Sequence, residues 1–106
     1  MALLLGLVGG GAGAGGHAAQ AGWIAVDVGH TLAAPGAISA RGRPEFEFNR
    51  EFALRLVEAL RGRGFRVELI NPDGRIESLR ARPLAASGAA FFLSIHHDSV
   101  GAHELR

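Results

Sequence analysis

From Trp23 onward the apolar positions alternate between a strand-like and a helix-like period. Trp23-Ile24-Ala25-Val26-Asp27-Val28 is apolar and β-branched and is closed by Gly29, which predicts a buried strand. Residues 31–43, rich in Ala and Gly and carrying Pro35, predict a loop. From Glu45 to about Arg63, Phe48, Phe52, Leu56 and Ala59/Leu60 recur at three-to-four spacing, with Ala53 and Val57 alongside. That spacing predicts an amphipathic helix with Arg50, Arg55, Glu58 and Arg61 on its wet side. Pro44 suits its first turn and Gly64 its C-terminal cap. Phe65-Arg66-Val67-Glu68-Leu69-Ile70 alternates at period two and predicts a second strand, followed by a turn over Asn71-Pro72-Asp73-Gly74. A weaker helix is expected from Glu77 to Ser87, broken near Pro83, and Ala90-Phe91-Phe92-Leu93-Ser94-Ile95 reads as a third, nearly all-apolar strand.

The order β-α-β-α-β with continuous apolar strands implies an α/β fold: three layers, α-β-α, around a mostly parallel sheet that is cut after its third strand. Such a cut leaves an open apolar edge, so poor solubility of the isolated chain is expected. No internal repeat is present. The first 21 residues read differently: Ala2-Leu3-Leu4-Leu5-Gly6-Leu7-Val8 is a short apolar run, followed by small residues up to Ala19-Gln20-Ala21. An apolar stretch ending in Ala-x-Ala has the shape of a secretory signal with cleavage after Ala21, although only the amino terminus supplies its positive charge. The expectation is a signal peptide over 1–21, export to the periplasm or cell envelope, and one domain over 22–106. The glycines after Val8 imitate a dinucleotide-binding loop, but that motif needs a following helix, and the strand expected at Trp23 leaves no room for one.

Composition narrows the chemistry. The 106 residues carry 11 basic residues, all Arg, against 10 acidic ones, for a net charge of +1. With no basic run or cluster, neither a nucleic-acid surface nor a polybasic membrane arm is indicated. A hydrophobic fraction of 48% argues against disorder over most of the chain, and no apolar run reaches the length of a membrane span. With no Cys, disulfide scaffolds and thiolate metal sites are excluded, so a metal site has to be built from His and carboxylates.

In open parallel sheets, function collects beyond the carboxyl ends of the strands. His30 lies two residues after Val28, His96 directly follows the third strand, and Glu45 opens the first helix, which a right-handed crossover starts near that same edge. Two imidazoles and one carboxylate form a donor set known for catalytic zinc, with a fourth position left for water. Singly, each residue has an ordinary reading: His30 as a loop residue, Glu45 as a complement to the helix N-terminus. The pair His96-His97 is less ordinary, because exposed polar groups follow a buried strand.

The motifs Val26-Asp27-Val28-Gly29-His30, Pro35-Gly36-Ala37, Glu45-Phe46-Glu47-Phe48-Asn49 and Ser94-Ile95-His96 stand in that order along the chain. Together they resemble the zinc-dependent N-acetylmuramoyl-L-alanine amidases, and the resemblance runs from about Trp23 to Ser99. It implies that His30, Glu45 and His96 hold a Zn2+ ion, with Glu45 preferred to Glu47 because it stands four residues before Asn49. It also implies Asp27 as a supporting carboxylate and Leu79 with Arg82, with Arg80 as a rival, as a Leu-x-x-Arg segment. The implied reaction is hydrolysis of the amide joining N-acetylmuramic acid to the L-alanine of the stem peptide, on a peptidoglycan or muropeptide substrate.

Departures limit the resemblance. Thr31-Leu32 stands where Gly-Gly is usual, and His97-Asp98 where Ala-Asn is common. The family's catalytic Glu lies on a further strand, and Glu104 falls in no matching motif, so no residue is assigned as general base. An N-terminal part of an amidase domain is therefore expected. The alternative is a catalytically silent amidase-like module that binds zinc or muropeptide, and a different zinc hydrolase with similar ligands is a third reading.

Overall fold

The computed structural model describes residues 2–9 and 22–98. Its strands and helices are β1 (Ala2–Gly9), β2 (Ile24–Val28), α1 (Glu45–Gly62), β3 (Val67–Ile70), α2 (Ala81–Ala85) and β4 (Phe91–Asp98). The strands form one sheet in the order β1-β4-β2-β3. β2 is parallel to both β3 and β4, with Asp27 level with Ile70 on one side and Ser94 on the other. The expected α/β architecture and its parallel three-strand centre are therefore present.

The sheet carries a fourth strand that the apolar pattern did not place there. β1, drawn from the segment expected as an export leader, pairs antiparallel with β4 from Ala2 opposite Asp98 to Gly9 opposite Phe91. Its partner edge is the one expected to stand open, so with residues 2–9 in place β4 lies between two neighbours. The cleavage point after Ala21, the glycine run from Gly10 to Gly16, and Glu104 lie outside the described residues.

β4 extends to Asp98, so His96 and His97 belong to it. The pairing of β4 with β2 ends at Val28 opposite Ile95, and the extra length is defined by the antiparallel ladder to β1. His96 thus follows the parallel part of the sheet while remaining inside a strand.

α1 begins after Pro44, whose extended backbone cannot donate to the first turn, and ends in a left-handed glycine. Gly64 N–H bonds to the Arg61 carbonyl and Phe65 N–H to the Leu60 carbonyl, the paired bonds of a Schellman cap. Arg50, Arg55, Glu58 and Arg61 are exposed, as the spacing predicts. The buried stripe is displaced, however. It runs through Phe46, Asn49, Ala53 and Val57, while Phe52, Leu56 and Leu60 flank it and Ala59 is exposed. The displacement follows from docking: α1 lies with Glu45 and Asn49 against the carboxyl end of β2, which turns Phe46 rather than Phe48 into the core.

Alternation along the strands divides the core. Val26, Val28, Val67 and Ile95 face α1 and pack with Phe46, Ala53 and Val57. Ala25 and Ile70 face the other way, against Ala86, Ala89, Trp23, Ile76 and Phe92. The second helix is only the five residues Ala81–Ala85, shorter than the expected 77–87, with Pro83 inside it.

Candidate metal centre

Three strand or helix ends meet at the carboxyl edge of the sheet. His30 follows β2, Glu45 is the first residue of α1, and His96 stands one residue past the β2 pairing on β4. Because β2 and β4 are adjacent and parallel, their ends lie side by side, and the two imidazoles meet edge to face with centroids 4.9 Å apart. Glu45 Oε2 lies 3.2 Å from His30 Nε2 and 3.2 Å from His96 Nδ1. One ligand atom from each of the three residues fits within 4.8 Å of the others.

These distances suit a small tetrahedral cation. Bonds of about 2.0–2.1 Å to N and O at tetrahedral angles set ligand atoms roughly 3.3 Å apart. Glu45 is 2% exposed, whereas the His30 and His96 side chains are 35% and 33% exposed, so the set is closed behind and open in front. An open position beside two imidazoles and a carboxylate is the arrangement of a hydrolytic rather than a structural metal site.

Each ligand candidate is held by groups far away in sequence. Glu45 Oε2 accepts bonds from Asn49 Nδ2 (3.1 Å) and the His97 backbone N–H (3.1 Å), and Oε1 accepts one from the Ala37 N–H (3.3 Å). Burial pushes the Glu45 carboxyl up, but these bonds and the adjacent His30 outweigh it and hold its pKa below the ordinary value. The result is a buried carboxylate kept ionised, as a metal ligand must be.

His30 has a left-handed backbone, φ 67°, a conformation uncommon outside glycine. Three buried side chains hold the carbonyls around it. Asn49 Nδ2 donates to Gly29 O (3.0 Å), and Asn71 Nδ2 donates to Val28 O (2.7 Å) and His30 O (2.8 Å). Arg82 donates to the same two carbonyls, at 3.0 and 2.6 Å, and to Ile76 O at 3.0 Å. Asn71 itself turns left-handed at φ 62°, and its Oδ1 accepts the Ile76 N–H.

Two glycines make room for the site. A Cβ on Gly29 would lie 2.6 Å from His96 Cε1, and one on Gly36, at φ +81°, would lie 2.7 Å from both Glu45 Oε1 and His30 Cδ2. Neither position accepts a side chain without moving a ligand candidate.

His97 turns toward α1. Its Nδ1 meets Asn49 Oδ1 at 2.8 Å and its ring packs beside Phe48 and Phe52, so only its backbone N–H serves the site. Burial pushes its pKa down. Glu47 lies outside the cluster and pairs with Arg43 at 3.6 Å. Of the two arginine candidates Arg82 is buried and Arg80 exposed, while Leu79 is 84% exposed.

In front of the imidazoles lies a cavity of about 340 Å³ walled by Thr31, Leu79, Pro83 and Phe92, with Asp27 and Ser94 also lining it. A profile of the N-acetylmuramoyl-L-alanine amidase family matches residues 24–106.

This chain belongs to that family.

A search of curated proteins returned no match. Membership brings the family's activity, amide hydrolysis directed at peptidoglycan, to bear on this site. Within this amidase fold the matched span includes β2, α1, β3, α2 and β4, and β1 lies ahead of it. Among the described residues no helix is long and apolar enough to cross a membrane.

Sequence reasoning missed Asn71, Ser94 as a hydrogen-bonding group, and the His97 backbone. Asn71 sits in a turn whose composition explained it fully, and Ser94 is one polar residue in an apolar strand. A signal for Ser94 did exist: it is the residue level with Asp27 once β2 and β4 are paired in parallel.

Proposed function

We propose that this chain is the metal-binding part of a zinc-dependent peptidoglycan amidase that cleaves the bond between N-acetylmuramic acid and the L-alanine of the stem peptide. His30, Glu45 and His96 would hold the ion. The observation that carries this reading is the convergence of His30 Nε2 and His96 Nδ1, each 3.2 Å from Glu45 Oε2, in a chain of the amidase family. Zinc held there would activate a water toward hydrolysis and polarise the amide carbonyl.

The chain's own residues prepare the site for that chemistry. Asn49, Ala37 and His97 keep Glu45 charged and fixed. Asn71 and Arg82 hold the left-handed turn that aims His30. The walls formed by Leu79, Pro83 and Phe92 give the open side of the site a mostly apolar surface, which strengthens polar interactions with a bound amide. In keeping with this reading, residues 1–21 serve as an export signal and the protein works in the cell envelope.

Purified full-length protein incubated with muropeptides and followed by mass detection tests the proposal. The expected product is free stem peptide with L-alanine at its new amino terminus. Intact substrate from folded, zinc-loaded protein would replace the enzyme reading with that of a zinc- or muropeptide-binding module.

A further inference from the structure

At the Nε2 edge of His96, across the ring from the Nδ1 that meets Glu45, runs a chain of polar groups that metal ligation alone does not require. His96 Nε2 lies 3.2 Å from Ser94 Oγ, Ser94 Oγ lies 2.8 Å from Asp27 Oδ2, and the Arg82 guanidinium lies 3.4 Å from the same oxygen. Asp27 is 1% exposed in the middle of the central strand, and its other oxygen, Oδ1, has no hydrogen-bond partner. The whole connection of this carboxylate to its surroundings therefore passes through Oδ2, shared by Ser94 and Arg82.

The donors and acceptors fix a direction. Burial pushes the Asp27 carboxyl up, against the Ser94 and Arg82 contacts that favour its ionised form. Ionised beside the guanidinium it has no proton to give, so the single Ser94 proton points to Asp27 Oδ2. Ser94 Oγ then offers only lone pairs to His96, and the imidazole nitrogen that meets it, Nε2, has to carry a hydrogen. In a neutral ring this leaves Nδ1 bare, and Nδ1 is the atom 3.2 Å from Glu45 Oε2. Two acceptors facing each other at that distance are what a shared cation resolves. A side chain at position 29 would strike the ring in this pose, its Cβ lying 2.7 Å from His96 Nε2.

We infer that Ser94 is a positioning residue: oriented by the Asp27–Arg82 pair, it locks His96 as the Nε2–H tautomer and so presents Nδ1 to the metal. The inference deepens the zinc reading above and rests on His96 facing the ion through Nδ1. Histidine ligands are commonly oriented by a hydrogen bond to their second nitrogen, and loss of such a partner costs about 10- to 100-fold in metal affinity. Here the orienting group is a hydroxyl on the same strand two residues away, aimed by a carboxylate on the neighbouring strand.

The test uses the full chain, metal-free, at a pH where imidazole is neutral, with long-range 15N–1H NMR of the His96 ring. Wild type is expected to show Nε2–H, Ser94→Ala a mixture of tautomers, and Ser94→Thr, which keeps the hydroxyl, a return to Nε2–H. An Nδ1–H ring in wild type overturns the inference even if Ser94→Ala does not fold, and so does a Ser94→Ala ring unchanged from wild type. Titration of the same samples with zinc against a chelator should show a 10- to 100-fold weaker Ser94→Ala and a restored Ser94→Thr. Failure of wild type to take up zinc would sink the metal reading, whereas the tautomer of the metal-free protein decides the role of Ser94 separately.

Discussion

Toward α1, the central strands present Val26, Val28 and Ile95 to a helix of 18 residues, and the contacts there are apolar and closed. Toward α2, the same strands present Asp27 and Ser94 to a helix of five residues, and the buried partner is the Arg82 guanidinium. One face is covered by a long amphipathic helix that removes side chains from water. The other is thinly covered by Ala86 and Ala89, leaves a cavity, and invests its buried positions in charges and hydrogen bonds. The contrast separates two tasks that one sheet has to perform. The α1 face supplies the hydrophobic driving force, and the α2 face supplies the groups that aim His30 and His96. Only Glu45 and Asn49 reach from the stabilising helix into the site, both from its first turns.

The comparison breaks first at the ligand candidates. His30→Ala or His96→Ala should abolish stoichiometric zinc binding, measured as metal content after dialysis, while His97→Ala should lower it little because its contribution is a backbone N–H. Equal loss in all three would assign the wrong histidine.

Next comes the support of the polar face. Arg82→Ala strips the buried Asp27 carboxylate of its cation and frees the carbonyls of Val28, His30 and Ile76. Removing one partner of a buried pair costs about 3–5 kcal/mol, which denaturant unfolding of the metal-free chain would read directly. On the apolar face the matched perturbation is milder. Ile95→Val, at a fully buried position beside Val28, should cost about 0.5–1.5 kcal/mol and leave zinc affinity unchanged. An Arg82→Ala cost no larger than that of Ile95→Val would erase the distinction between the faces.

A pH profile sharpens it further. The pKa of His97 is depressed by burial, so as pH falls below about 6.5 the unfolded chain takes up a proton that the folded chain refuses. Stability of the metal-free chain should therefore fall with pH from that point down to the depressed native value. His97→Gln should flatten this part of the profile, as followed by thermal denaturation. The smallest effect belongs to Gly62→Ala, at the end of α1 with open space around it, which should add about 0.4–1 kcal/mol with no effect on metal binding.

Much of this could be read from the chain. The periodicities placed β2, α1, β3 and β4 to within a few residues, because each is a local pattern matched to one burial geometry. The same reading brought His30, Glu45 and His96 to one sheet edge, since strand ends and helix starts share that edge in any parallel α/β unit. It stopped where local pattern carries no information. Ala2–Gly9 is apolar enough for an export leader and equally for a strand, and its pairing along β4 is a contact that the run by itself does not indicate. Phe48 and Phe46 both suit an amphipathic helix, and the docking of α1 selected Phe46. Arg80 and Arg82 fit the same short segment, and burial beside Asp27 selected Arg82.

The sequence by itself determined the order of strands and helices, the absence of thiol chemistry, the donor types available to a metal and the family motifs that unite them. Those are properties of spacing and composition. Tertiary structure alone decided which atoms of His30, Glu45 and His96 face one another, which carbonyls hold the left-handed His30, and how Asp27, Ser94 and His96 join into one hydrogen-bonded chain. Asn71 and Arg82 reach the His30 carbonyl across 41 and 52 residues, and Ser94 reaches Asp27 across 67. Hydrogen bonds over such separations are fixed by the register of β4 beside β2 and by the turn after β3, and no local pattern in the chain encodes them.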